Sequence, residues 1–304
     1  METRRVTAAL AAAVFPDPSE EESGKWVAWV KAAVTLALIG VLYAKVVAQM
    51  ALVWWNDPAY SHGLLIPPLV SYIVWAHRGD FFSGRTSTDG RGLLLVLAAC
   101  TAYLVGSLGA EFFLTRMSLV MLLAGMVWTF WGLQRLRRLA FPLLLLSTMV
   151  PLPELIYSKL AAPLQLFASA VATDFVRLFG IAIHRSGNVI QLANSTLGVA
   201  EACSGLRSTS SLAVLALLIG HFRYARLTPR VLLFVGAIPT AIAVNVARVA
   251  DTGLLSERNP ELAQGFYHSF SGWLVFLAGF GTLLLLSQLL TKLDAERARQ
   301  RGNE

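Results

Sequence analysis

The chain has 304 residues, 56% of them hydrophobic and only 14% charged, with 2 cysteines and a net charge of +7. Charge-free runs such as Gly92 to Ala110, Met117 to Leu133 and Gly272 to Thr291 exclude an ordinary soluble domain and read as membrane spans. The basic residues sit in short loops between those runs, where they report orientation and not a nucleic-acid partner, and two cysteines make neither a disulfide framework nor a cysteine-rich metal site.

In chain order, residues 1–25 read as a disordered cytoplasmic tail. Arg4-Arg5 and the apolar Thr7 to Phe15 superficially resemble a signal peptide, but the apolar part is short and Pro16, Pro18 and Glu20 to Glu22 follow it. Residues 26–291 read as a single membrane domain, and 292–304 as a basic cytoplasmic tail. The expected fold is an all-α polytopic membrane protein with about eight transmembrane helices, near 27–50, 61–77, 92–110, 114–133, 139–153, 203–222, 231–250 and 271–291. With the N-terminus inside, Arg78, Arg85 and Arg91, then Arg135, Arg137 and Arg138, then Arg223, Arg226 and Arg230 all fall on the cytoplasmic face. The opposite face receives Trp55 to Tyr60, Leu152 to Ala202 and Asp251 to Phe270.

Glu154 to Ile183 is apolar enough to pass for another span, yet it carries Lys159, Gln165, Asp174 and Arg177. As a span it would put the Arg223 cluster outside, so it reads as an amphipathic helix in the outer interface. Gly187 to Val199 reads as a short hairpin with a turn at Asn194-Ser195, leading to Cys203.

Glu201-Ala202-Cys203-Ser204-Gly205-Leu206-Arg207-Ser208 carries the most chemistry. The apolar run from Ser208 to His221 is shorter than the roughly 20 residues a bilayer takes, so the helix extends back to about Cys203. That puts the sulfur in a first helical turn, where free N–H groups and the dipole favour a thiolate. A small, inert packing cysteine is an equally good local reading. At the same depth, Asn245 and Arg248 are three residues apart and share a helix face, and His268 stands at the entry of the last span. Cys203 as nucleophile, His268 as proton carrier and a guanidinium as oxyanion or thiolate partner make a set suited to acyl transfer. Each member also has a plain alternative. Histidines at membrane boundaries are often amphipathic anchors, Arg248 can snorkel, and Arg207, one turn from Cys203, competes with Arg248 for the cationic role. The residues alone do not rank the two arginines.

These blocks, with Asn245-Val246-Ala247-Arg248-Val249, His268-Ser269-Phe270-Ser271-Gly272 and an N-terminal Tyr60-Ser61-His62-Gly63, resemble the exosortase/archaeosortase family over about residues 50–290. The resemblance implies a multi-pass cysteine transpeptidase of the inner membrane, with its site on the extracytoplasmic side. The family's catalytic cysteine, arginine and histidine fall on Cys203, Arg248 and His268, and Glu201, Ser204, Arg207, Asn245 and His62 are the candidate supporting or substrate-binding residues. The implied partners are exported proteins whose C-terminal sorting signal joins a short motif of the Pro-Glu-Pro (PEP-CTERM) type, a transmembrane helix and a basic tail, within the membrane lipid. Exopolysaccharide-linked surface display is the implied pathway, and no cofactor or metal is implied. Two rivals stand beside this reading. A hydrolytic cysteine protease would use the same residues. A transporter would show inverted repeats and midplane charges, whereas the polar set here gathers at one face.

Overall fold

Prolines and short polar side chains punctuate an otherwise continuous apolar chain. The computed structural model describes residues 18–83, 87–192, 196–198, 206–258 and 265–301. Helix α1 spans Pro18–Asn56, followed by a 3₁₀ turn at Ser61–Leu64, α2 (Ile66–Ala76) and the short α3 (Arg78–Phe82). Next come α4 (Gly92–Leu108), α5 (Phe112–Arg138), α6 (Ala140–Ser147) and α7 (Glu154–Arg177). Strands β1 (Ile183–Ser186), β2 (Val189–Leu192) and β3 (Thr196–Gly198) precede α8 (Leu206–Arg223), α9 (Leu227–Arg258) and α10 (Gly265–Arg301). By their contacts, residues 1–49 and 50–304 form separate units, and the packing described below is that of the second.

The chain is a multi-pass helical membrane protein, but its helices are less even than the expected eight spans. Among the described residues, five helices are long and apolar enough to cross a bilayer: Ala33–Asn56, Phe112–Arg138, Glu154–Arg177, Leu227–Glu257 and Phe270–Asp294. Ser61–Ala76 and Gly92–Leu108 are shorter apolar helices. The expected span at 139–153 is helical only as α6, because Ser147 and Thr148 turn their hydroxyls back on the carbonyls of Leu144 (2.6 Å) and Leu145 (2.7 Å) and Pro151 and Pro153 follow. Helix α1 begins at Pro18, inside the segment expected to be a tail. Helix α7 satisfies the length and composition of a crossing, so those two properties alone do not make it interfacial.

The hairpin before α8 has one more strand than expected. Strand β2 pairs antiparallel with β3, Gln191 opposite Thr196, and also with β1, Ser186 opposite Val189. The two-residue β1–β2 loop starts at Gly187, whose φ of +63° suits a tight hairpin turn. The expected turn at Asn194-Ser195 lies outside the described residues. The sheet covers the small-residue face of α7, where Ala168, Ala172 and Val176 pack with Ile190, Leu192, Val249 and Ala250.

A second cluster joins Met50, Trp54, Ile66, Val70 and Ile73 to Leu139, Leu145, Met149 and Val214, so the N-terminal block is packed against α6 and α8. A third, made of Leu212, Ala216, Leu233, Ala237, Ala241 and Leu283, fuses α8, α9 and α10. Its alanines let the helix backbones approach closely, the usual route to association in lipid. The arginines counted as orientation signals also hold the fold. Arg135 donates to the Phe82 carbonyl (2.7 Å) and Arg138 to those of Asp80 (3.0 Å) and Ser83 (2.8 Å), satisfying carbonyls at the end of α3.

Candidate active site

Contacts along the α8–α9–α10 bundle fix which ends meet. Gly220 of α8 faces Arg230 of α9, with 3.4 Å separating its Cβ position from the Arg230 Cα, so these helices run antiparallel through a short turn. A Cβ on Gly279 would lie 3.1 Å from Leu212 and 3.3 Å from Val244, which sets all three helices at one level. The Tyr224 hydroxyl donates to the Ser287 carbonyl (2.5 Å), Arg223 to the Thr291 hydroxyl (3.2 Å), and Arg226 pairs with Asp294 (3.3 Å), closing one end. Helix α10 therefore runs antiparallel to α9 and alongside α8. The opposite end collects the start of α8, the far part of α9 and the start of α10.

Arg248 and Asn245 lie in that far part of α9. Asn245 is 3% exposed, and the Arg248 guanidinium lies over α10, where a Cβ on Gly272 would be 3.3 Å from its Cζ and Nη2. His268 is one helical turn before Gly272 and so on the same face of α10. Two of the three candidate catalytic positions are thus neighbours across one helix–helix contact. The backbones of Arg207 and His268 are described, but their side chains lie outside the described part, as do Glu201, Cys203 and Ser204. Leu206, the first residue of α8, follows Cys203 by three positions in the chain.

The N-terminal block arrives at this same end. Trp54 donates its indole N–H to the buried Met149 carbonyl (2.9 Å), Asp57 accepts from the Ala59 amide (2.8 Å) in a local turn, and Gly63 packs so close to the Trp54 ring that a Cβ would not fit there. Together they hold the 3₁₀ turn so that the His62 Nε2–H meets the Thr148 carbonyl at 3.3 Å. A carbonyl only accepts, so that contact puts the proton on Nε2. Ser210 of α8 reaches the Ala59 carbonyl at 3.5 Å, which places His62 beside the first turns of α8. Next to it the Tyr60 phenol is pushed up to about 12 by burial, with Tyr157 and then Asp57 adding to the shift, so it stays a neutral hydroxyl.

From Tyr60, His62 and Ser210 a cavity of about 860 Å³ runs between α5, α6, α8 and α9 to His221 and Arg230 at the opposite end. Ser210 and this cavity were not legible as site features, because nothing in the local sequence marks which helix they face, and Tyr60 was legible only as the first residue of the Tyr60-Ser61-His62-Gly63 block. Cys100, the other thiol, is exposed on α4. Among the described residues no group of three or more His, Cys, Asp or Glu is placed to hold a metal.

The family model described as Transmembrane exosortase matches residues 54–285, well over half of the chain. No curated protein and no solved structure matches it.

Proposed function

Since the chain belongs to the transmembrane exosortase family, we propose that it is a membrane-embedded cysteine transpeptidase that cleaves C-terminal sorting signals from exported proteins. The observation that carries this reading is the Arg248 guanidinium lying across Gly272, one turn from His268, at the end of the bundle where α8 begins just after Cys203. In the proposed reaction the Cys203 thiolate attacks the scissile carbonyl, forming a C–S bond and an oxyanion that Arg248 stabilises. Collapse breaks the C–N bond, and the imidazolium of His268 protonates the departing amine. The acyl-enzyme then passes to an acceptor that attacks the thioester, while His268 takes the acceptor's proton and the thiolate leaves. Asn245 and Arg207 are assigned supporting or substrate-binding roles, and His62 and Tyr60 line the approach. Glu201 and Ser204 belong to the same block and are assigned a supporting role.

The clients of this reading carry a Pro-Glu-Pro type motif, a transmembrane helix and a basic tail, and belong to an exopolysaccharide-linked display system of the inner membrane. Hydrolysis is the second reading. It keeps every residue and replaces the acceptor by water.

The test is client cleavage by gel shift in cells expressing each variant at matched membrane levels. Cys203→Ala should accumulate full-length client, and Cys203→Ser should be nearly as poor because a hydroxyl is scarcely ionised. His268→Ala should slow cleavage by roughly 10²- to 10⁴-fold. Arg248→Lys should be severely impaired, since an ammonium keeps the charge and loses the fork, whereas Arg207→Lys should be milder. Full cleavage by Cys203→Ala ends the proposal. A severe Arg207→Lys beside a harmless Arg248→Lys exchanges the two arginines. The mass of the new client C-terminus separates transfer from hydrolysis.

A further inference from the structure

The cavity beside α8 is unequal at its two ends. Its walls are apolar, formed by side chains such as Phe141, Leu144, Leu217 and Phe234, while His221 and Arg230 stand at the end away from the candidate catalytic residues. There the His221 ring stacks on Phe141, with ring centres 3.6 Å apart and planes within 3°. Arg230 donates from Nε to the Tyr224 carbonyl (2.7 Å), and its Nη1 lies 3.5 Å from His221 Nδ1. Among the described residues no carboxylate pairs with Arg230, whereas its neighbour Arg226 is paired with Asp294. An uncompensated guanidinium at the rim of an apolar cavity asks for an anion with an apolar tail.

We propose that this cavity is a binding site for one anionic phospholipid, with acyl chain between α6, α8 and α9 and phosphate on Arg230. Length and charge choose this occupant over a transmembrane helix. Between Ser210 and His221 the cavity follows eleven residues of α8. At about 1.5 Å each this is roughly 16 Å, close to the ~15 Å hydrocarbon depth of one leaflet. Charge agrees, because Arg223 and Arg230 at this end would repel a helix that ends in a basic tail and attract a phosphate. Leu144 (50% exposed) and Val231 (48% exposed) leave the cavity open sideways, the direction from which a lipid enters. The site does not depend on the cysteine chemistry proposed above.

The test uses the full-length protein in detergent, mixed with phosphatidylglycerol or phosphatidylcholine, with retained lipid counted by native mass spectrometry. The wild type should retain one phosphatidylglycerol in preference to phosphatidylcholine by about fivefold, the worth of one cation near an anionic headgroup. Arg230→Gln should abolish that preference and Arg230→Lys should keep it. Ala213→Trp, which fills the cavity wall, should reduce retention of both lipids. Equal retention of the two lipids by the wild type, or an unchanged preference in Arg230→Gln, overturns the proposal. So does a photocrosslinker at position 231 in cells that captures a polypeptide instead of lipid. Client cleavage by Cys203→Ala is read separately, so either proposal can fail alone.

Discussion

Arg248 rests over Gly272 of α10, a position without a side chain. A methyl group at Gly272 would sit 3.3 Å from the guanidinium, tighter than ordinary contact, and the flexible guanidinium is what would give way. Gly272→Ala should therefore split two properties. Alanine is the better helix former by up to about 1 kcal/mol, so thermal stability should hold or rise slightly. Client cleavage should fall several-fold, and Gly272→Leu should cost about 10²-fold, the penalty of misplacing a catalytic group by about 1 Å. Unchanged cleavage in both variants, at matched membrane levels, would show that Arg248 does not act from this position. The motif around His268 was legible in the sequence, with Gly272 as its last residue. The reason for that glycine was not, because it lies on another helix 24 residues earlier in the chain, at Arg248.

At the scale of elements, α5 shows what periodicity hides. Its apolar residues read as one uninterrupted span, yet at Gly132 the backbone turns to φ 83° and ψ 167°, a region open essentially to glycine alone. The kink brings Gly132 onto the Ser87 carbonyl, 2.8 Å from its Cβ position. One turn earlier Trp128 donates its indole N–H to Asp89 (2.8 Å), and the Asp89 amide donates to the Thr129 carbonyl (3.1 Å). The loop before α4 is thereby tied to the end of α5. Gly132→Ala should lower stability by about 1–3 kcal/mol, read as the midpoint of thermal unfolding in detergent. The same tie predicts an acid dependence. The Arg91 backbone N–H first, and the Trp128 indole with it, hold the Asp89 carboxyl below the usual carboxylate range. Its contribution is then fully present above the unfolded value of about 3.9 and is lost as pH falls through the lower folded value. Unfolding midpoints measured from about pH 2 to 5 should fall with acidity in the wild type, and Asp89→Asn should flatten that slope. An equal slope in both would remove Asp89 as the source. The same limit explains α6: the apolar run read as a span over 139–153, but the hydroxyls of Ser147 and Thr148 turn back on the helix and end it ahead of Pro151 and Pro153.

At the scale of the whole molecule, the open matter is the path between the arginines of α5 and those of α8. Phe141, early in α6, stacks on His221, while Thr148, just after α6, meets His62 beside the first turns of α8. The chain from α5 thus travels from the arginine end of the bundle to the site end through α6 and the non-helical residues that follow, and a full-length helix is not needed for that traverse. Helix α7 then both starts and finishes near the site end. Tyr157 lies 6.1 Å, ring to ring, from Tyr60, and Val176 comes within 3.6 Å of the Cβ position of Gly253, five residues past Arg248. A helix with both ends at one face lies along that face, which favours the interfacial reading of Glu154–Arg177 although its composition suits a crossing. It also keeps Arg135, Arg137 and Arg138 on the same side as Arg223, Arg226 and Arg230. Reporter fusions provide the measurement. Fusions after Pro153 and after Gly187 should report the same, extracytoplasmic compartment, and fusions after Tyr224 and after Asn259, which flank α9 alone, should report opposite ones. Opposite signals at Pro153 and Gly187 would make α7 a span. Equal signals at Tyr224 and Asn259 would remove α9 as a crossing, and with it the shared face on which Cys203, Arg248 and His268 are proposed to work.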